Sequence, residues 1–252
     1  MKILLVCESV YKNASGGRVV RYLSEILNRN GNIIKIIVLG NAREDYKDNF
    51  HKNNDIVYLG DMKEYQSKLK QILPTPHTEI FSKIINKFNP DVTHFASYKS
   101  SNSAIMIDIA ISSSKKVVLQ PWIYDFFCYQ GYAFRDGQPC DKCATNGYFE
   151  SIKKGCASII SLPAILNKYI LNLRIKKDVY FLSSNNYLDN ILLNLGVKKE
   201  KIFRFPIPFK VIDQSNSSSK SNYFMFYGQT KKFKGIEEII EPFIKMNDIK
   251  LK

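Results

Sequence analysis

The sequence predicts an α/β protein: a doubly wound, Rossmann-like parallel sheet followed by the opening of a second α/β domain. Three observations carry this. Short continuous apolar runs recur along the chain, as expected of strands covered on both faces. Segments with helical apolar spacing separate them. The alternation breaks off in a polar stretch and starts once more near the C-terminus.

Ile3 to Cys7 is the first strand run. Val19, Val20, Leu23, Ile26 and Leu27 then fall on one helical face, which Asn30-Gly31-Asn32 ends, Gly31 being suited to a left-handed cap. Strands follow at Ile33 to Leu39 and Ile56 to Leu59. Ile80, Phe81, Ile84, Ile85 and Phe88 stripe a helix that Asn89-Pro90 stops. Asp91 to Ala96 is a strand, Ala104 to Ile111 a short helix and Val117 to Gln120 a strand. Residues 121–156 break the rhythm with four Cys, the sole Trp and many aromatics, a long excursion of the kind that is usually functional or metal-tied. The rhythm resumes with a helix striped by Ile165, Leu166, Tyr169, Ile170 and Leu173, a strand at Val179 to Leu182, a helix at Leu188 to Leu195 and a strand at Ile202 to Phe205. Asp213 to Ser221 has linker composition, which makes residues 1–212 one domain and 213–221 a linker. Tyr223 to Phe226 and Ile236 to Met246 read as a strand and helix of a second domain, so 222–252 is expected to be its incomplete start.

Composition fits a folded protein: 45% apolar residues, with 16 Phe and 15 Tyr, are ample for a core in 252 residues. No apolar run reaches the roughly 18 residues of a membrane span, and the stretch before Glu8 is too short for a signal peptide. A cytoplasmic protein is expected, with Cys as thiols or metal ligands. Cys7 reads as a small core residue. The net charge of +14 fits nucleic acid, an anionic membrane surface or phosphorylated substrates. Nucleic acid has only the charge in its favour, because no helix-turn-helix, zinc-finger or aromatic RNA-binding signature is present.

Two segments carry candidate chemistry. Ser15-Gly16-Gly17-Arg18 lies between the first strand and helix, at the carboxyl end of the sheet where ligands bind in this fold. It is either a plain turn or an anion cradle in which glycine backbone and helix N–H groups meet a phosphate. The full Gly-x-Gly-x-x-Gly fingerprint is absent, against a dinucleotide enzyme. Cys128, Cys140, Cys143 and Cys156 contain one Cys-x2-Cys pair, the chelate spacing of a structural zinc or other soft metal; the alternative is four thiols. His94 ends a strand run and either faces the cleft or bonds a loop, while His51 and His77 read as surface residues.

Several segments together resemble the glycosyltransferase family 4 proteins of GT-B fold: the Gly16-Gly17 loop with its helix and the Gly31-Asn32 turn, Pro90-Asp91-Val92-Thr93-His94, Phe134 to Cys143, and Tyr227 to Gly235. The last is similar to the family's Gly-Arg-(x4)-Lys-Gly motif, which opens the nucleotide-sugar domain. The resemblance implies a retaining glycosyltransferase, or its acceptor-binding half, acting in bacterial polysaccharide or lipopolysaccharide assembly. A nucleotide-diphosphate sugar is the implied donor, and a saccharide or lipid-linked saccharide the implied acceptor. No cofactor is required. Gly16, Gly17, Arg18, His94, Gln229 and Lys234 are the implied substrate- or diphosphate-binding residues. A basic chain handling a lipid-linked acceptor is expected on the inner face of a membrane, as a peripheral protein. Two departures weaken the donor side: Gln229 stands where the family has Arg, and Trp122 where one branch has His. They leave open a truncated or degenerate, non-catalytic half that binds glycan or docks a separately encoded C-terminal domain.

Overall fold

Lys2–Cys7, β1, is the strand around which the sheet is laid, and all but its first residue are buried. The computed structural model describes residues 1–12, 14–41, 48–60, 74–98, 103–124, 126–206, 223–225, 235–245 and 250–251. Contacts divide the chain into two units, Met1–Ala133 with Asp141–Lys210, and Phe134–Cys140 with Val211–Lys252.

In the first unit β1 is followed by α1 (Ser15–Arg29), β2 (Ile33–Val38), α2 (Asn49–Asn53), β3 (Asp55–Tyr58), α3 (Pro76–Phe88), β4 (Val92–Tyr98), α4 (Ser103–Ser113) and β5 (Lys116–Pro121). Next come a hairpin, β6 (Phe134–Arg135) and β7 (Gln138–Pro139), grouped with the second unit, and α5 (Lys142–Asn146) and α6 (Glu150–Lys153). A single 3-10 turn at Ile159–Ser161 leads into α7 (Leu162–Asp178), then β8 (Val179–Ser183), α8 (Asn186–Asn194) and β9 (Ile202–Arg204). The seven strands lie in the order β3-β2-β1-β4-β5-β8-β9, and every neighbouring pair is parallel. The expected doubly wound sheet is therefore present.

Alternate residues of each strand feed two cores. Ile3, Leu5 and Cys7 pack with Val20 and Leu23 of α1. Leu4 and Val6 pack on the opposite face with Phe81 and Ile85 of α3, Met106 and Ile107 of α4, Leu171 and Ile175 of α7, and Ile191 of α8. Burial on both faces is what makes the strand sequences read as unbroken apolar runs.

The helix ends follow local chemistry. Thr75 and Thr78 form a reciprocal capping box with Pro76 in the first turn of α3. Asn89 closes that helix in the left-handed region, φ 50°, as Gly31, φ 75°, does after α1. The next residue of note is Asp91, whose carboxylate accepts from the Lys2 backbone N–H at 2.9 Å and from Lys115 Nζ at 2.7 Å. Those two bonds hold its carboxyl below the usual carboxylate range and tie together the starts of β1, β4 and β5.

Aromatic packing and hydrogen bonds anchor residues 126–133 and 141–156. Phe126 and Phe127 are fully buried, and the Tyr148 hydroxyl donates to the Phe126 carbonyl at 2.9 Å. Asn172 Nδ2 of α7 donates back to the Tyr148 oxygen, and Tyr129 reaches Ser161. Burial, above all, pushes the Tyr148 phenol up, so it stays a donor.

The second unit contains the β6–β7 hairpin, whose two turn residues Asp136 and Gly137 both have positive φ, as a type I′ turn requires. It also contains β10 (Tyr223–Phe224) and β11 (Lys250–Leu251), paired in parallel through α9 (Ile236–Lys245). The 213–221 segment lies outside the described residues.

Candidate functional site

Strand order places the switch point of this sheet between β1 and β4: the chain leaves β1 toward β2 and β3, then returns to pair β4 on the other side. Ligands of open parallel sheets bind at that crevice, beyond the carboxyl ends of the strands. The loop from Glu8 to Ala14 and the start of α1 stand there.

α1 begins at Ser15 with Ala14 as its cap, which offers no side-chain acceptor to the first N–H groups, and no acid sits in the first turn. An uncapped N-terminus without negative charge is the electrostatic half of an anion site. Gly16 is half-buried and Arg18 exposed in that same turn.

Gly17 has a different task from the one its sequence suggested. It is buried, and a Cβ there would lie 2.2 Å from the Tyr11 carbonyl oxygen and 2.6 Å from the Tyr11 nitrogen. The close backbone approach is made by the protein's own loop. Tyr11 is itself fixed, its hydroxyl donating to the Asn41 carbonyl at 2.9 Å and its N–H to Ser9 Oγ at 3.1 Å.

A network that sequence reasoning missed braces this loop. Arg21 of α1 donates through Nε to the Val10 carbonyl and through Nη1 to Asp48 Oδ2 at 2.5 Å. Its guanidinium also stacks 4.6 Å from the centre of the Phe50 ring. Asp48 Oδ1 lies 2.8 Å from His51 Nδ1, and His51 Nε2 lies 2.7 Å from the Tyr58 hydroxyl. Burial raises the Asp48 carboxyl, but hydrogen bonds from Arg21 and His51 outweigh it and hold the group well below the usual range. Burial likewise pushes the Tyr58 phenol up to about 12. His51 is thus a structural link rather than a surface residue, and His77 is buried as well. Asp48→Ala removes the α2 cap and leaves Arg21 without its carboxylate. We expect a loss of about 2 kcal/mol by urea denaturation, below a fully buried pair because Asp48 keeps some solvent contact.

His94 is interior rather than at the mouth. It is the third residue of seven in β4, in register with Leu5 and Val118, and 6% exposed. Burial lowers its imidazole to about 4, against the opposing influence of Gln120. The ring is neutral at pH 7, and its Nε2 and Gln120 Oε1 are buried polar atoms without a hydrogen-bond partner. At the carboxyl end of β4 the ladder with β5 shifts register between Phe95 and Tyr98. The Ala96 carbonyl there accepts from Trp122 Nε1 at 2.6 Å.

The five Cys carry thiols rather than disulfides. Among the described residues no three His, Cys, Asp or Glu side chains form a group that could hold a metal ion; Cys128, Cys143 and Cys156 belong to the first unit and Cys140 to the second. Cys7 is buried, and burial pushes its thiol up to about 12, an inert core residue. Gln229 and Lys234 lie outside the described residues.

Comparison with family models gives no match, and neither does comparison with curated proteins. Among solved structures the chain is similar to the lipopolysaccharide outer core galactosyltransferase WaaB in its apo form. That alignment has a TM-score of 0.54 at 13% identity and covers 100% of this chain. This chain spans 60% of the WaaB chain it matches. A second likeness, to MurG of Acinetobacter baumannii, has a TM-score of 0.35 at 10% identity, over 89% of this chain and 72% of that one. The WaaB alignment and the seven-stranded parallel sheet support the fold of a GT-B glycosyltransferase.

Proposed function

We propose that the chain forms the acceptor side, and the opening of the donor side, of a retaining glycosyltransferase that uses a nucleotide-diphosphate sugar. The observation that carries this reading is the uncapped, acid-free N-terminus of α1, with Gly16 and Arg18 in its first turn at the switch point of a WaaB-like sheet. In glycosyl transfer the departing nucleoside diphosphate gains negative charge, and preorganised N–H groups and cations stabilise it. The α1 N-terminus and Arg18 meet that need, and Lys234 is a further candidate that the sequence offers. The acceptor fits a saccharide or lipid-linked saccharide of bacterial polysaccharide or lipopolysaccharide assembly, handled by a peripheral protein on the cytoplasmic side of a membrane.

The test is nucleotide release from uridine, guanosine and adenosine diphosphate sugars in the presence of saccharide and lipid-linked acceptors. Arg18→Ala should raise the donor KM about tenfold, the worth of one charge-assisted phosphate contact. Its melting temperature should not change, because Arg18 is exposed. An unchanged KM would remove Arg18 from the donor site.

One observation favours a second reading, a non-catalytic half that binds glycan or docks a separate donor domain. Trp122 stands where a branch of the resembled family has His, and its indole is committed to the Ala96 carbonyl. Glycan binding without nucleotide release from any donor would select this reading.

A further inference from the structure

Helix α7 carries apolar residues on both its faces. Asn167, Lys168 and Asn172 are buried against the domain, whereas Leu162, Leu166, Tyr169 and Leu173 are 43 to 52% exposed. Those four sit at i, i+4, i+7 and i+11, one continuous stripe. Ile159 and Ile160, in the turn that leads into the helix, extend the stripe and are the most open of all, 75% and 77%. Single exposed apolar residues need no explanation, but six in one line along 17 helical residues and the preceding turn mark an interaction surface.

The charge around the stripe selects its partner. Residues 150–178 hold six Lys and Arg against two acids. Lys153 is exposed just before the stripe, and Arg174 and Lys176 are exposed at its far end. Two of these cations are themselves ion-paired, Lys153 with Glu150 and Arg174 with Asp108, and the segment keeps a positive balance. A protein partner would need an apolar and acidic surface shaped to this row and its flanking cations. An anionic bilayer matches both, with Ile and Leu entering the acyl boundary, Tyr169 at headgroup depth and the cations on lipid phosphates. No helix among the described residues is long and apolar enough to cross a membrane, so α7 would lie in the surface plane.

We propose that the stripe from Ile159 to Leu173, flanked by Lys153 and Lys176, is a membrane-contact surface selective for anionic lipid. It deepens the peripheral-membrane part of the function proposed above. Its test contains no sugar donor, so its outcome is independent of whether the chain transfers sugar.

The experiment is co-sedimentation of the 252-residue chain with vesicles of phosphatidylcholine, alone or mixed with phosphatidylglycerol at roughly 2:1. The wild type should pellet with the mixed vesicles and not with phosphatidylcholine. Binding should weaken as salt rises from roughly 0.1 M to roughly 0.5 M. Ile159→Ser with Ile160→Ser and Leu166→Gln should lower the partition coefficient at least about tenfold with unchanged circular dichroism. Lys153→Glu with Lys176→Glu, both at exposed sites, should give a similar loss on mixed vesicles and keeps the test decisive should the apolar variant misfold. Wild-type protein that ignores anionic vesicles would overturn the proposal, as would variants that bind like wild type. A wild type that is dimeric by ultracentrifugation, with a monomeric apolar variant and unaltered vesicle binding, would instead make the stripe a contact between copies and also overturn it.

Discussion

Gly17→Ala and Gly17→Val should destabilise the protein almost equally, by about 3 kcal/mol, or about 6 to 12 °C in melting temperature for a domain of this size. The clash begins at Cβ, which both residues have. That atom would stand 2.2 Å from the Tyr11 oxygen and within 3.0 Å of two further Tyr11 backbone atoms. Backbone cannot swing away as a side-chain tip can, and Tyr11 is held by Asn41 and Ser9. Either α1 or the loop must shift. An anion cradle, one of the two readings the sequence left open, leads to a different expectation, a Val variant with an intact fold and a blocked ligand site. The two accounts separate in thermal or urea denaturation without any ligand. A Gly17→Ala protein that melts within about 2 °C of wild type would mean the loop yields freely. A strongly destabilised one would also lose anion binding at Gly16 and Arg18, as a consequence of the displaced loop rather than a blocked approach.

What the sequence made legible was whatever is written in neighbouring residues. Leu4 to Val6 and Ile36 to Val38 are buried on both faces, and a strand so placed must read as an apolar run. Asn89 and Gly31 were readable as helix ends because left-handed caps draw on few residue types. The Asp136-Gly137 hairpin carried a legible signal that went unread, since Asp-Gly is a favoured type I′ pair. Helix α7 shows the limit of periodicity. Leu166, Tyr169 and Leu173 gave the right period, but they are the outward face; Ile165, Leu171 and Ile175 share the inward one with two Asn and a Lys. With apolar residues on both faces, periodicity names the helix and not which stripe meets the core. The loop brace was illegible for another reason. Arg21 and Asp48 are 27 positions apart, and nothing local in either segment names the other. The same holds for Trp122 and the Ala96 carbonyl, which meet only because β4 and β5 are neighbours whose register shifts at that point.

Between pH 6.5 and 4 the wild type should lose about 3 kcal/mol of stability that a His94→Leu variant does not lose. In the unfolded chain the imidazole titrates near its ordinary value, about 6.5. In the folded protein burial holds it down to about 4, and Gln120 recovers only part of the shift. A depressed folded pKa means that the unfolded state takes up the proton first as pH falls. Stability from this group is therefore complete above about pH 6.5 and declines as pH falls toward 4. Asp48 and Asp91, both held below the ordinary carboxylate value, lose their own contribution as the unfolded chain takes up protons below about pH 5, but both proteins share that loss, so the difference between them reports His94. Urea midpoints for the two proteins at intervals from pH 7.5 to about 4.5 resolve the effect. Parallel declines would assign the titration to another group. The result also bears on chemistry. A ring that is neutral and interior at pH 7 adds no cation to the crevice, so under the function proposed above Arg18 and the open end of α1 are what this unit's described residues offer a diphosphate there. His94 then belongs to the sheet that carries the site, and a His94→Leu protein at pH 7.5 should keep the donor KM that Arg18→Ala raises.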